Sequence, residues 1–160
     1  IAEVAAAAGA LSGRRVLELY AGVGHLTLPA VLGGAEIAAV EVDERAILWL
    51  SRNLETSGAA GSRARVVRAA IGRAATGAVT GARPRFDMVI ADPPRTGATG
   101  LGEILERTQP RDVILVSCDI ATGARDIRVA TEAGLTLGSL TVIDAFPRTS
   151  HVEWVAHLSR

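Results

Sequence analysis

The chain has 160 residues, 49% of them apolar and only 3% aromatic, and its 17 basic residues, all arginine, balance 17 acids. That length suits one domain with a sizeable core built from Val, Leu, Ile and Ala, and a formal charge of zero gives no polyanion signal from the domain as a whole. A single cysteine excludes an internal disulfide and any multi-cysteine metal or iron–sulfur site within these residues, and no apolar run approaches the ~18–20 residues of a membrane span.

The absence of lysine reads first as coding bias and only second as chemistry. Nothing at the start has the layout of a signal peptide, and one cysteine makes a reduced, cytoplasmic setting the expectation. The first residue is Ile rather than Met, so a segment of a longer polypeptide is expected.

In chain order, the Ala-rich residues 1–12 predict a lead-in helix. Arg15–Leu19 reads as a first strand. Tyr20-Ala21-Gly22-Val23-Gly24-His25 is a glycine-rich turn, and Leu26–Leu32 a helix closed by Gly33-Gly34. Glu36–Val42 is a second strand. Asp43–Leu54 is a helix with Asp43 as N-cap and Ala46, Ile47, Leu50 and Leu54 at the helical period. Ser57–Gly61 is expected as a loop, Ala64–Val67 as a short third strand, and 68–83 as a weak helix or loop.

Phe86–Ala91 predicts a fourth strand, broken sharply by Asp92-Pro93-Pro94-Arg95-Thr96-Gly97. Leu101–Arg107 is helical. Val113–Val116 is a continuous apolar run, the pattern of a strand buried on both faces. It stops in Ser117-Cys118-Asp119, and a helix over Ala121–Ala133 follows. Leu137–Ala145 and Val152–Leu158 read as two strands joined by Phe146-Pro147-Arg148-Thr149-Ser150. Alternating strands and helices imply a doubly wound, Rossmann-like sheet of seven strands, mostly parallel. The last two strands lack a crossover and must pair antiparallel. Residues 1–160 are expected to form one domain without an internal repeat.

In such sheets ligands gather at the carboxyl ends of the strands. The only cysteine, Cys118, falls at one of these ends. A buried structural thiol is the plain alternative. Gly22-x-Gly24 between a strand and a helix lets a ligand approach the backbone closely. Glu41, 19 residues after Gly22, ends the next strand, where a carboxylate can accept both hydroxyls of a ribose. Together they point to adenosine binding. A hydride-handling site is not visible. The proline-stiffened loop at Asp92 suits holding a flat base in plane, which favours S-adenosylmethionine over a nicotinamide cofactor.

These residues resemble the class I S-adenosylmethionine-dependent methyltransferases, and within them the RNA 5-methyluridine methyltransferases. The matching stretches are VLELYAGVGHLTLP (16–29), AVEVDERA (39–46), FDMVIADPPRTG (86–97), VILVSCDIATGARDI (113–127) and DAFPRTSHVEWVAHL (144–158). The first two are shared with many methyltransferases. The last three are more specific, above all Ser117-Cys118 with Ala124-Arg125-Asp126, and Phe146-Pro147 with His151-Val152-Glu153.

The resemblance implies methyl transfer to C5 of a uridine in structured RNA, transfer or ribosomal. It implies Cys118 as the nucleophile, Glu153 as the base for the C5 proton, and Asp92 as the acid between cofactor and uracil. Tyr20, Gly22, Gly24, His25, Glu41 and Asp92 match the cofactor pocket, with His25 standing where relatives often carry Asn. The resemblance implies neither a metal in this chain nor a membrane.

Ala21 stands where many relatives carry Cys, Ala70 near a usual Asn or Asp that contacts adenine, and Asp119-Ile120 in place of Asn-Pro. Longer relatives carry N-terminal RNA-binding regions, sometimes an iron–sulfur cluster, and an upstream cofactor-contacting Gln. The chain is therefore expected to be the C-terminal catalytic domain of a longer enzyme. Six arginines (63, 65, 68, 73, 83, 85) and no acid between Glu55 and Asp87 suit RNA phosphate as well as a solvated edge. The alternatives are a non-covalent RNA or amine methyltransferase of the same fold, against which Arg95 argues where an aromatic is usual, and a degenerate cofactor-fold module without activity.

Overall fold

In the computed structural model the described residues are 1–72, 77, 79, 85–144 and 152–160. The elements are α1 (Ala2–Ala8), β1 (Arg15–Leu19), α2 (Thr27–Leu32), β2 (Glu36–Glu41), α3 (Glu44–Thr56), a 3₁₀ segment (Gly58–Arg63), β3 (Ala64–Arg68), β4 (Met88–Ala91), α4 (Leu101–Thr108), β5 (Asp112–Ser117), α5 (Ile120–Glu132), β6 (Thr136–Ile143) and β7 (Glu153–Ser159).

The strands form one seven-stranded sheet in the order β3-β2-β1-β4-β5-β7-β6. β1 to β5 pair in parallel, and β7 runs antiparallel to both β5 and β6. The expected mostly parallel sheet with an antiparallel C-terminal hairpin is what the chain forms. The hairpin folds back, so β7 and not β6 lies against β5. That insertion brings the start of β7 beside the end of β5.

Alternate residues of each buried strand feed two separate cores, as a sheet period of two requires. Leu17, Leu19, Val89, Val113 and Leu115 face α4 and α5, together with Leu101, Ile104 and Leu105. Val16, Ile37, Met88, Ile90 and Ile114 face the other way with Val4, Val31, Leu50 and Leu54 of α1, α2 and α3. α3 follows the predicted stripe, and Asp43 caps it, its carboxylate accepting from the Ala46 N–H at 2.8 Å.

Several boundaries differ from expectation. The lead-in helix stops at Ala8, because Gly9 takes φ 63° and turns the chain away. The 57–61 loop is a 3₁₀ turn reaching Arg63. Phe86 does not join β4; its ring lies 5.6 Å below the Arg15 guanidinium. Much of the weakly patterned 68–83 stretch (73–76, 78 and 80–83) lies outside the described residues, as do residue 84 and 145–151 with the Phe146-Pro147 and His151 parts of the last motif.

At the N-terminal edge of the sheet, the Asp112 carboxylate receives Arg14 and also His157 Nε2 at 2.9 Å. Burial alone would raise the Asp112 pKa, but His157 and Arg14 together hold it below the ordinary carboxylate value. This ties the approach to β1, the start of β5 and the end of β7 into one cluster.

Candidate active site

Three chain ends meet at the carboxyl edge of the sheet. β5 finishes at Ser117, which pairs across the ladder with Trp154 of β7. Cys118 follows the first member of this last pair and Glu153 precedes the second, so both leave the ladder at the same edge of the sheet. β4 ends at Ala91, level with Leu115 of β5, so Asp92 emerges beside them. Cys118 is partly exposed rather than walled into the core.

The turn that carries the thiol is held by its neighbours. The Ser117 hydroxyl donates to the Asp119 carbonyl at 2.9 Å and accepts from the Asp119 N–H at 3.1 Å. The Asp119 carboxylate caps α5, accepting from the Thr122 N–H at 2.9 Å and its hydroxyl at 3.1 Å. These bonds to Thr122 hold the Asp119 pKa below its ordinary value. Asp119 thus supplies the cap that starts this helix without the proline expected from relatives.

Asp92 is exposed as a residue, yet its carboxyl is crowded by the packed loop and loses part of its hydration. That desolvation, and next the Glu153 carboxylate, raise its pKa, while the N-terminal ammonium of Ile1 and then His25 act in the opposite sense. Asp92, Glu153 and His25 therefore lie within electrostatic reach of one another.

The loop after Asp92 is gripped by α5. Asp126, 3% exposed, accepts from the Ala98 N–H at 2.6 Å. Arg125 Nη2 bonds the Asp126 carboxylate at 3.1 Å and the Thr96 carbonyl at 2.9 Å. The Thr122 hydroxyl, with one proton to share between the Asp119 carboxylate and the loop, also lies 3.0 Å from the Arg95 carbonyl. Gly97 has φ +83°, and a Cβ there would stand 2.1 Å from Arg125 Nη2, so only glycine lets the grip close. The sequence flagged Arg125 and Asp126 as part of a motif but gave no role for them.

On the other side of the loop is a cavity of about 220 Å³. Tyr20, Glu41, Ala70, Pro94, Thr96 and Thr99 are among its lining residues. Tyr20 takes φ 62°, a left-handed conformation uncommon for a ring-bearing residue, and its hydroxyl donates to the Thr99 carbonyl at 3.5 Å. Burial, and next the Asp126 charge, raise its pKa.

Glu41, expected to accept both hydroxyls of a ribose, is held by three backbone N–H groups: Gly22 at 2.8 Å on Oε2, and Val42 at 2.7 Å and Asp43 at 2.9 Å on Oε1. Oε1 has both acceptor positions taken, and Oε2 keeps one. The carboxylate is locked in orientation, with one oxygen able to take a hydroxyl. Gly24 has φ +98°, and a Cβ there would meet Leu50 Cδ1 at 2.6 Å. Gly22 and Gly24 shape the turn without lining the cavity, and exposed His25 lies toward Asp92 rather than beside Glu41.

Sequence reading passed over Glu18, an acid inside an apolar strand. It is 3% exposed, and its Oε2 accepts the Thr27 hydroxyl at 2.6 Å. Burial raises its pKa to about 7 against the Thr27 hydrogen bond, and the Asp92 charge adds to the rise. An acid with a raised folded pKa binds its proton more tightly when folded. Its contribution is therefore full below about 4.5 and is lost as pH rises through about 7. The loss should be about 3 kcal/mol over that window. Glu18→Gln is expected to flatten the decline of the urea midpoint between pH 4.5 and 8. A parallel slope in wild type and variant would contradict the assignment.

Among the described residues, no group of three or more His, Cys, Asp or Glu could hold a metal ion, and no helix is long and apolar enough to cross a membrane.

Residues 3–119 match the family model described as Conserved hypothetical protein 95. The chain belongs to this family. Similarity to individual proteins extends through the rest of this Conserved hypothetical protein 95 member. It is 35% identical over 146 residues to the 23S rRNA (uracil(1939)-C(5))-methyltransferase RlmD of Aeromonas hydrophila subsp. hydrophila, covering 91% of this chain and 32% of that protein. The structure of the Pyrococcus abyssi tRNA (uracil-54, C5)-methyltransferase, in complex with S-adenosyl-L-homocysteine, superposes with a TM-score of 0.75 at 29% identity, over 93% of this chain and 35% of that one. The chain thus spans about a third of the length of each.

A precorrin-6y C5,15-methyltransferase from Geobacter metallireducens reaches a TM-score of 0.80 over 99% of this chain and 87% of its own, but at 10% identity that likeness speaks to fold alone. The fold is that of the class I methyltransferases, and the resemblance to RNA uracil-C5 methyltransferases is borne out by these relatives.

Proposed function

We propose that this chain is a catalytic domain that transfers a methyl group from S-adenosylmethionine to C5 of a uridine in structured RNA, through a covalent adduct of Cys118 at uracil C6. The observation that supports the reading is the last β5–β7 pair, Ser117 with Trp154, whose chain neighbours Cys118, partly exposed, and Glu153 leave the sheet at the edge where Asp92 follows β4. The names of the relatives support the reaction class and the RNA substrate.

The residues fit the cofactor. Glu41, oriented by the Gly22 N–H, keeps one acceptor for a ribose hydroxyl, and Tyr20 and Thr99 wall the cavity. When bound there, the cofactor supplies an electrophilic methyl group on a sulfonium sulfur. The role of this chain is to make C5 reactive. The Cys118 thiolate adds to C6, forming an S–C6 bond and pushing the C5–C6 π electrons toward the O4 oxygen as an enolate. C5 then carries the nucleophilic electron pair. After methylation Glu153 takes the C5 proton, the double bond reforms, and the thiolate leaves. Asp92, whose pKa is raised by burial and next by the Glu153 charge, is the acid that would hydrogen-bond the uracil edge.

RNA carrying 5-fluorouridine tests the covalent step, because C5 then holds fluorine where the base needs a proton. A complex stable to denaturant and linked through Cys118 is expected. Glu153→Gln should also accumulate adduct on normal uridine, with multiple turnover reduced by ~10²-fold or more. Methylation with no trapped species would overturn the covalent route. Failure to bind S-adenosylhomocysteine in calorimetry even in the full-length protein would point to the module without activity, a reading that Ala70 in the cavity wall favours.

A further inference from the structure

The carboxyl edge of the sheet mixes the acids Glu41, Asp92 and Glu153 with Arg95 and Arg125. At the opposite edge three neighbouring cavities share lining residues. One of about 390 Å³ is lined by Arg15, Arg63 and Arg65, and meets at Phe86 a second of about 510 Å³ lined by Arg85, Arg107 and Arg111. The second shares Asp87 and Arg111 with a third of about 410 Å³ that reaches Arg14.

Seven arginines line this groove against three acids. Asp112 is paired with Arg14 and His157, Asp87 accepts the Arg15 backbone N–H at 2.8 Å, and Glu36 is exposed, so arginines still outnumber acids by four, seven against three. The arginine segment noted in the sequence divides accordingly. Arg68 lies at the far end of β3, paired with Glu44, whereas Arg63, Arg65 and Arg85 join the groove; Arg73 and Arg83 lie outside the described residues. Coding bias explains why the cations are arginine, but not why they gather along one edge.

We propose that this groove is a second RNA-binding surface, a track for the phosphodiester backbone of a strand flanking the modified uridine. It crosses the sheet from β3 to β5, four inter-strand steps or roughly 19 Å, which is too long for a single phosphate and suits several in succession. Guanidinium forks bind phosphate oxygens in pairs. The groove lies a strand length from Cys118, on the order of 17–20 Å, so the RNA it holds is not the reacting nucleotide. The inference rests on the reading that the substrate is RNA.

The test uses the triple variant R63Q/R85Q/R111Q, none of whose positions is in the candidate active site, and its lysine counterpart, which keeps the charge. The probes are a uridine-containing RNA hairpin with single-stranded flanks and the same hairpin trimmed. The glutamine variant should bind the flanked RNA at least ~10-fold more weakly, with the salt-dependence slope smaller by about 2. The lysine variant should keep most of that slope. Affinity for the trimmed hairpin and for S-adenosylhomocysteine should not change, which also reports an intact fold.

Wild-type affinity and slope in the glutamine variant would overturn the proposal. So would an equal loss on flanked and trimmed RNA, or polyglutamate competing as well as RNA at equal salt. If the variant loses RNA while wild type methylates no uridine, the methyl-transfer reading fails and the groove stands. If wild type methylates and the variant binds normally, the groove alone fails.

Discussion

Cys118→Ala is expected to lower uracil C5 methylation by ~10⁴-fold or more while leaving the fold and the binding of S-adenosylhomocysteine intact. Uracil C5 becomes a nucleophile only after something adds to C6, and alanine offers nothing to add. The thiol can be removed without breaking structure, because Cys118 is partly exposed and the turn is held by Ser117 and Asp119. Cys118→Ser restores a hydroxyl of similar size but one far less ionised and a poorer leaving group, so little activity should return. Single-turnover methylation of a uridine-containing RNA measures the effect. Substantial activity in the alanine variant would end the covalent mechanism.

Asp126→Ala should have the second largest effect, acting through the loop rather than on the substrate. Its carboxylate holds the Ala98 N–H and the Arg125 guanidinium, and Arg125 in turn holds the Thr96 carbonyl. Ala98 is itself 4% exposed, so its N–H would be left buried without a partner. A loss of about 2–3 kcal/mol in folding stability is expected in urea titration. Thr96, Gly97 and Thr99 line the cavity beside Glu41, so the same change should weaken S-adenosylhomocysteine binding by about 10-fold or more in calorimetry. Asp126→Asn keeps an acceptor for Ala98 and should fall between the two. Normal cofactor affinity in the alanine variant, with stability lost, would reduce Asp126 to a purely structural role.

Much of this was written locally. The apolar runs 88–91 and 113–116, the Asp43 cap and the glycine turn at 22–24 each obey short-range rules, so the strands and helices could be placed from the chain itself. The position of Cys118 at the end of a buried strand was legible for the same reason. The loop-clamping role of Asp126 was not, because its partner Ala98 is 28 residues away. Glu18 read as one polar letter in an apolar strand; only the packing of α2 over it shows a carboxyl deprived of water.

The sequence by itself determined the elements, their alternation and the residue types available at each strand end, since these follow from periodicity, capping and turn chemistry along neighbouring residues. The tertiary structure decided which ends meet. It inserted β7 between β5 and β6, turned Glu41 inward onto three backbone N–H groups, and sorted the arginines of one segment to opposite edges of the sheet. Strand order, register and the loss of water around a charge depend on contacts between residues far apart in the chain, and local patterns do not encode them.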